Sequence, residues 1–164
     1  MKKVRLAFYT EDDLQFLHEL LSDPETTKFF PIMYTTNIEQ SHLRLKTRLM
    51  DQEYGYVNRF LIKELLTGKP VGEISGRNAT DAPSTMELAI LIHPKYRGKG
   101  FAKAGIIEFM KYIMKHKKDI NRFRLEIADN NTASIAVAHK LEFDFLKGKN
   151  GNMQYWEKDA DNIK

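Results

Sequence analysis

The sequence predicts a mixed α+β single domain, and three observations carry that expectation. The apolar run Met86 to Ile92 is followed at once by a glycine turn and a long amphipathic run, so the stretch reads strand, tight turn, helix. Asn58 to Glu64 and Val71 to Arg77 flank Thr67-Gly68-Lys69-Pro70, which is turn chemistry between two strands. Ala102, Ile106, Phe109, Met110 and Ile113 recur at helical spacing, whereas Arg122 to Ala128 alternates as a strand does.

The remaining elements follow in order. Lys3 to Tyr9 reads as a first strand, and Thr10 before Glu11, Asp12 and Asp13 is a helix start with acids in its first turn. Leu14, Leu17, Leu20 and Leu21 give that helix its apolar face, and Ser22-Asp23-Pro24 stops it. Thr26 to Thr36, with Phe29, Phe30 and Tyr34 in no clear period, reads as a loop or short helical turns. Asn37 can cap a second helix to about Gln52, with Ile38, Leu45 and Leu49 facing inward. From Tyr56 the pattern changes to strands, and the two strands around residues 67–70 form an antiparallel hairpin. Asn78 to Ser84 is a polar loop containing Pro83, and the central strand and its helix, Phe101 to about Lys117, come next. After the strand Arg122 to Ala128 come a short helix, Asn131 to Leu141, and a last hairpin, Phe143 to Leu146 with Met153 to Glu157, across Lys147 to Asn152. The order is β-α-α-β-β-β-α-β-α-β-β, about seven strands and about four helices.

A chain of 164 residues fits one domain, taken as residues 1–164, and has no cysteine, which excludes disulfides, thiolate metal sites and a cysteine nucleophile. Met1-Lys2-Lys3-Val4-Arg5 is basic but no apolar run follows it, and no segment approaches the roughly 20 apolar residues that span a bilayer. The expectation is no export signal, no membrane span and a cytoplasmic setting. The net charge of +4 and pI near 9.1 suit an anionic ligand. The densest basic run, Lys111 to Lys118, falls toward a helix C-terminus, where cations complement the dipole. No RNA-recognition or helix-turn-helix pattern stands out, so nucleic acid is not an expected partner. His18, His42, His93, His116 and His139 are scattered without ligand spacing, and Gly-x-Ser-x-Gly is absent, so neither a metal nor a serine triad is expected. Tyr155-Trp156 reads as part of a strand, with a place at an acceptor pocket as the alternative.

The glycine turn carries the chemistry. In Arg97-Gly98-Lys99-Gly100-Phe101-Ala102 the free N–H groups of a helix's first turn, the positive end of its dipole and two glycines make a phosphate site, with Lys95 and Lys103 adding charge. An ordinary strand-to-helix turn with solvated lysines would use the same residues. A nucleoside-triphosphatase loop does not fit, because Gly98-Lys99 is followed by Gly100, and Gly148-Lys149 by Asn150, where Ser or Thr is needed. A dinucleotide fingerprint does not fit either, since Lys103 stands where its third glycine belongs.

Arg97-x-x-Gly100-x-Ala102 resembles the pyrophosphate-gripping signature of the GCN5-related N-acetyltransferases (GNAT), and the whole element order is similar to that fold. Asn131-x-x-Ser134-x-x-Val137-x-x-Lys140-Leu141-x-Phe143 resembles the family's later segment, although Glu142 stands where the family usually has glycine. The resemblance implies a central, mixed but mostly antiparallel twisted sheet whose central strand and the next splay apart around acetyl-CoA. Pantetheine would then pair with the backbone of Ile90, Leu91 and Ile92, and the pyrophosphate would sit on Arg97, Gly98, Lys99, Gly100, Phe101, Ala102 and Lys103. Many members use a tyrosine where Ala138 stands to protonate the leaving thiolate. In the ribosomal-protein alanine N-acetyltransferase-like branch, which this chain resembles more than others, a serine at the position of Ser134 takes that role, with Asn131 beside the cofactor. A helix serine bonded to its own backbone is the plain alternative for Ser134, and an N-cap the plain role for Asn131.

Amine acylation also needs a proton acceptor or ammonium anchor. Glu87 at the start of the central strand is the first candidate and Glu73 the second, each with a merely solvent-facing carboxylate as the alternative. The implied reaction is direct transfer of acetyl to a primary amine in a ternary complex, with a protein N-terminus as acceptor. A polyamine is favoured instead if Asp51, Glu53, Glu73 and Glu87 converge on one anionic pocket, and a non-catalytic acyl-CoA sensor is the alternative of another class. A monomer or homodimer is expected.

Overall fold

The structure, a computed structural model, describes residues 1–55, 57–148 and 151–163, with Lys147 described by its backbone alone. The expected onset of the strand pattern at Tyr56, and Lys149 and Asn150 of the last hairpin, lie outside the described residues. Among the described residues seven strands form one sheet in the order β1-β2-β3-β4-β5-β7-β6, mostly antiparallel. The chain divides into two compact units, Met1–Ser75 with Ile90–Gly105 and Gly76–Ala89 with Ile106–Lys164.

The first unit opens with β1 (Val4–Ala7), antiparallel to β2 (Asn58–Glu64) from Val4↔Glu64 to Ala7↔Leu61. Thr10 begins the helical region with a capping box: its side chain accepts from the chain ahead, and the Asp13 carboxylate accepts from the Thr10 N–H at 2.7 Å. A short 3-10 turn, Glu11–Asp13, leads into α1 (Leu14–Leu21). Ser22-Asp23-Pro24 ends α1 and also starts α2 (Pro24–Thr27), a fifth helix beyond the four expected: Asp23 caps it and Pro24 supplies its first turn. A 3-10 turn at Pro31–Met33 precedes α3 (Ile38–Tyr54), capped by Asn37 and ended by Gly55 in the left-handed conformation. Leu17, Leu20, Leu21, Leu45 and Leu61 pack with Tyr9 and Leu91 into this unit's core, with Leu49 against them.

Two details of α3 differ from expectation. Ile38 is 38% exposed, because it stands at the first turn, beyond the edge of the core. The stripe buried instead runs Ser41, Leu45, Arg48, and it carries an arginine into the interior.

β3 (Pro70–Asn78) follows β2 after a short link, in which Glu64 N–H donates to Lys69 C=O at 2.9 Å. So short a connection makes the neighbouring strands antiparallel. β4 (Thr85–Ile92) returns along β3, and His93 N–H donates to Val71 C=O at 3.0 Å. Gly72 is required there, since an added Cβ would overlap the Leu91 carbonyl oxygen.

In the second unit β4 runs parallel to β5 (Arg122–Ala128) from Thr85↔Arg122 to Leu88↔Leu125. A parallel pair needs a crossover, and α4 (Phe101–His116) is its helix. Lys115 and His116 fall in its last turn, and Lys118 Nζ donates to Met114 C=O, so the basic run complements the helix end. β7 (Met153–Asp159) lies antiparallel to β5, and β6 (Asp144–Gly148) to β7 with an irregularity between Phe145 and Lys147. α5 (Thr132–Lys140) precedes β6, and Glu142 between them has φ 59°, the left-handed backbone that glycine would adopt freely. That backbone costs a residue with a Cβ about 1–2 kcal/mol.

Candidate active site

The first unit holds the glycine turn. After β4, a 3-10 turn at Pro94–Tyr96 is closed by the His93 side chain, which accepts from Lys95 N–H at 3.2 Å. Gly98 (φ 69°) and Gly100 (φ 85°) then take left-handed backbone, which is open to glycine and resisted by residues with a Cβ. Ala104 N–H donates to Gly100 C=O at 3.2 Å, the first bond of α4, so the N–H groups of Phe101, Ala102 and Lys103 precede the helical ladder. Residues 97–100 are exposed, and Ala102 and Lys103 half-buried. The Phe101 ring is buried and meets Tyr96 edge-on at 5.8 Å, so it packs inward and is not available at the turn's surface. The ammonium groups of Lys95 and Lys99 each lie 5.9 Å from the Tyr96 ring centre.

Three residues bear on this turn that sequence spacing did not single out. Arg97 donates to the Asp23 carboxylate at 2.6 Å and to the Thr26 hydroxyl, tying the turn to the start of α2. The Thr26 bonds and Arg97 hold the Asp23 carboxyl below its usual range despite partial burial. Lys2 reaches the turn from the chain start: its ammonium lies 5.1 Å from the Phe101 ring centre, and its stem is the nearest group to a side chain at Gly100. Ile90, Leu91 and Ile92 precede the turn on β4, with Leu91 buried in the core and its neighbours half-buried.

In the second unit Asn131 caps α5, accepting from Ser134 N–H at 3.2 Å. Ser134 is half-buried, and its hydroxyl makes no hydrogen bond among the described residues, so it is not spent on its own backbone. Ala138 is fully buried. Glu87 is half-buried on β4, paired in register with Arg124. Arg124 gives its charge to Glu157 at 2.9 Å and Asp81 at 2.8 Å, and the Glu87 carboxylate has no partner among the described residues. Tyr155 and Trp156 are both buried, the former 4.4 Å beneath the Arg124 guanidinium.

Glu73, the second candidate for a base, is a different case. It is buried in the first unit, where it accepts from the Tyr9 hydroxyl, from Arg48 Nε at 2.5 Å and Nη2 at 3.0 Å, and from Arg59 Nη1 at 2.7 Å. Burial alone would raise its carboxyl, but the charges of Arg48 and Arg59 override that and hold it at about 2. Such a carboxylate is too weak a base to take an ammonium proton at neutral pH. Burial, with the Glu73 charge, pushes the Tyr9 hydroxyl well up, so it stays protonated as a donor. No three His, Asp or Glu side chains gather as a metal site among the described residues, and no helix is long and apolar enough to cross a membrane.

The turn, the capped α5 and the seven-stranded order accord with the comparison to known families: the acetyltransferase (GNAT) domain matches residues 3–144. The chain belongs to the GNAT family. It is 25% identical over 147 residues to the uncharacterized N-acetyltransferase p20 of Bacillus licheniformis, across 90% of this chain and 80% of the relative. The spermidine N-acetyltransferase of Vibrio cholerae, solved with CoA and spermine, superposes with a TM-score of 0.79 at 17% identity, over 98% of each chain. RimL, the ribosomal L7/L12 alpha-N-protein acetyltransferase solved with coenzyme A, gives 0.77 at 18% identity, over 97% of this chain and 95% of that one. At these identities the superpositions establish the GNAT fold.

Proposed function

We propose that this GNAT enzyme moves an acetyl group from acetyl-CoA directly to a primary amine in a ternary complex, the acceptor being a protein N-terminus. The observation that supports the cofactor reading is the exposed turn with left-handed Gly98 and Gly100 at the start of α4, beside Arg97, Lys99 and Lys103. The pantetheine is assigned to the backbone of Ile90 to Ile92. The amine nitrogen attacks the thioester carbonyl carbon, a β4 N–H takes the oxyanion, and the C–S bond breaks as the intermediate collapses. Glu87 receives the amine's proton and Ser134, beside Asn131, gives one to the thiolate, with solvent restoring both groups. A branch resembling RimL fits the Ser134 assignment, and CoA appears in both of the solved neighbours described above. The engaged state of Glu73 supports a single amine over a polyamine, because the deepest of the four carboxylates that an anionic pocket would need is already neutralised by two arginines.

Ser134→Ala is expected to lower kcat by roughly 10² with acetyl-CoA affinity intact, the pattern of a lost proton donor. Steady-state kinetics with calorimetry measures both, and an unchanged kcat would move the role to water. Glu87→Gln keeps shape and removes basicity. If Glu87 is the base, kcat/KM falls across neutral pH and the acidic limb of the profile loses its enzyme-derived step. If it only anchors an ammonium group, the KM for the amine rises at nearly constant kcat, and wild-type values in the variant would reject both roles.

A further inference from the structure

The glycine turn is held from outside itself. Gly98 and Gly100 are exposed, and a side chain built there would meet nothing at Gly98 and only the Lys2 stem, at 3.9 Å, at Gly100. Glycine backbone is also the freest of any residue, so residues 98–100 have little of their own to fix their shape. Downstream the chain is fixed by the buried Phe101 ring. Upstream it is fixed by α1. Leu17, Leu20 and Leu21 put one face of that helix into the core, whereas Phe16, Glu19 and Asp23, spaced three and four residues apart, run along the turn. Phe16 stacks on the His93 ring at 5.6 Å, Glu19 Oε2 lies 3.2 Å from His93 Nε2, and Asp23 Oδ2 accepts from Arg97 Nη2 at 2.6 Å. Glu19 and Asp23 stand four residues apart, as do His93 and Arg97, so two carboxylates bracket the 3-10 turn Pro94–Tyr96 at its two ends.

Both carboxylates are themselves held. Gln15 Nε2 donates to Glu19 Oε1 at 3.3 Å, and the Thr26 N–H and hydroxyl donate to Asp23 Oδ2 at 2.8 and 2.7 Å. His93 Nδ1 accepts from Lys95 N–H, so the hydrogen of the neutral ring is on Nε2, the atom that faces Glu19. The carboxylate thereby fixes the tautomer that closes the turn. We propose that Glu19 and Asp23 are positioning residues for acetyl-CoA: acting through His93 and Arg97, they hold residues 98–100 in the conformation in which the cofactor's phosphates bind. The proposal rests on the cofactor reading above. Its effect has a sign that charge alone does not give. Carboxylates near an anion repel it, so as bare charges they would weaken acetyl-CoA binding and their removal would tighten it. As a clamp they spare the cofactor the ordering of the turn, and their removal weakens binding.

The test uses Glu19→Ala and Asp23→Ser, alone and combined, with acetyl-CoA and with acetylpantetheine, a thioester that lacks the phosphates. Alanine favours the helix at position 19, and serine keeps a capping oxygen for Thr26 N–H while being too short to reach Arg97 as well. In the combined variant the Kd and KM for acetyl-CoA are expected to rise about tenfold at nearly constant kcat, with kcat/KM for acetylpantetheine unchanged. Glu19→Ala alone, at an exposed helix position that leaves the fold intact, is expected to give roughly threefold. Glu19→Gln keeps an oxygen that accepts from His93 and is expected to restore wild-type affinity. Unchanged or tighter acetyl-CoA binding in Glu19→Ala and in the combined variant overturns the clamp. So does an equal loss with both donors, which is damage to the fold and not to the phosphate turn. A wild-type protein that does not bind acetyl-CoA at all rejects the cofactor reading and the clamp with it.

Discussion

Gly100→Asp is expected to abolish acetyl-CoA binding in a protein that still folds. Gly100 has φ 85°, and a Cβ built there meets nothing closer than the Lys2 stem at 3.9 Å, so the substitution meets no steric wall. The left-handed backbone costs an L-residue about 1–2 kcal/mol, a loss a domain of this size survives. Binding suffers far more. A carboxylate set among donors that await a pyrophosphate repels it by about 4 kcal/mol at 4 Å in a partly screened site, which is roughly a thousandfold in affinity. Gly100→Ala carries the same backbone strain without the charge and is expected to bind far better than the Asp variant. Calorimetry reads both, and an unchanged affinity in folded Gly100→Asp protein would remove the phosphate assignment.

Glu73→Gln is expected to be the most destabilising conservative change in the first unit. It leaves buried Arg48 and half-buried Arg59 facing each other without their shared counter-charge. Breaking a buried pair by removing one partner costs about 3–5 kcal/mol, or about 10 °C in Tm for a chain of this length. The pH dependence has a definite sign. The Glu73 carboxyl is held at about 2 in the fold, below its ordinary value of 4.5, so its contribution is complete above the unfolded value. It is lost as pH falls from there through about 2. Urea unfolding of both proteins is therefore expected to give a gap that is full at pH 7 and shrinks below about pH 4. A gap that stays constant down to pH 2 would contradict the ion-pair account.

The sequence carried the fold further than the site, for physical reasons. Local patterns act over a few residues: the strand Asn58–Glu64 and the strand Arg122–Ala128 have the bounds that alternation and turn chemistry predict, and Asn37 and Asn131 cap the helices expected of them. The helix α2 was hidden because Asp23-Pro24 reads equally as a stop, and four residues are too few to display a period. The glycine turn was legible for the same local reason, since its positive φ values are what glycine is for. Its tether was not, because Arg97 finds Asp23 and Thr26 over 74 and 71 residues of chain. Glu73 shows the limit most plainly. Alone on a strand it looks like an available base, and only folding brings Tyr9 and Arg48 onto it from 64 and 25 residues away. The one trace in the sequence was the spacing of Ser41, Leu45 and Arg48, a helical stripe of which an apolar-only reading keeps Leu45 alone.

The reaction proposed for this chain is acetyl transfer from acetyl-CoA to a primary amine. Its most direct measurement is the release of free CoA thiol, paired with mass spectrometry of the acceptor, from acetyl-CoA and a panel of peptide N-termini and spermidine. The account predicts N-acetylated peptide and CoA in equal amounts, with spermidine a poor acceptor. Saturable acetyl-CoA binding without acetylation of any amine would contradict it and identify the chain as an acyl-CoA sensor.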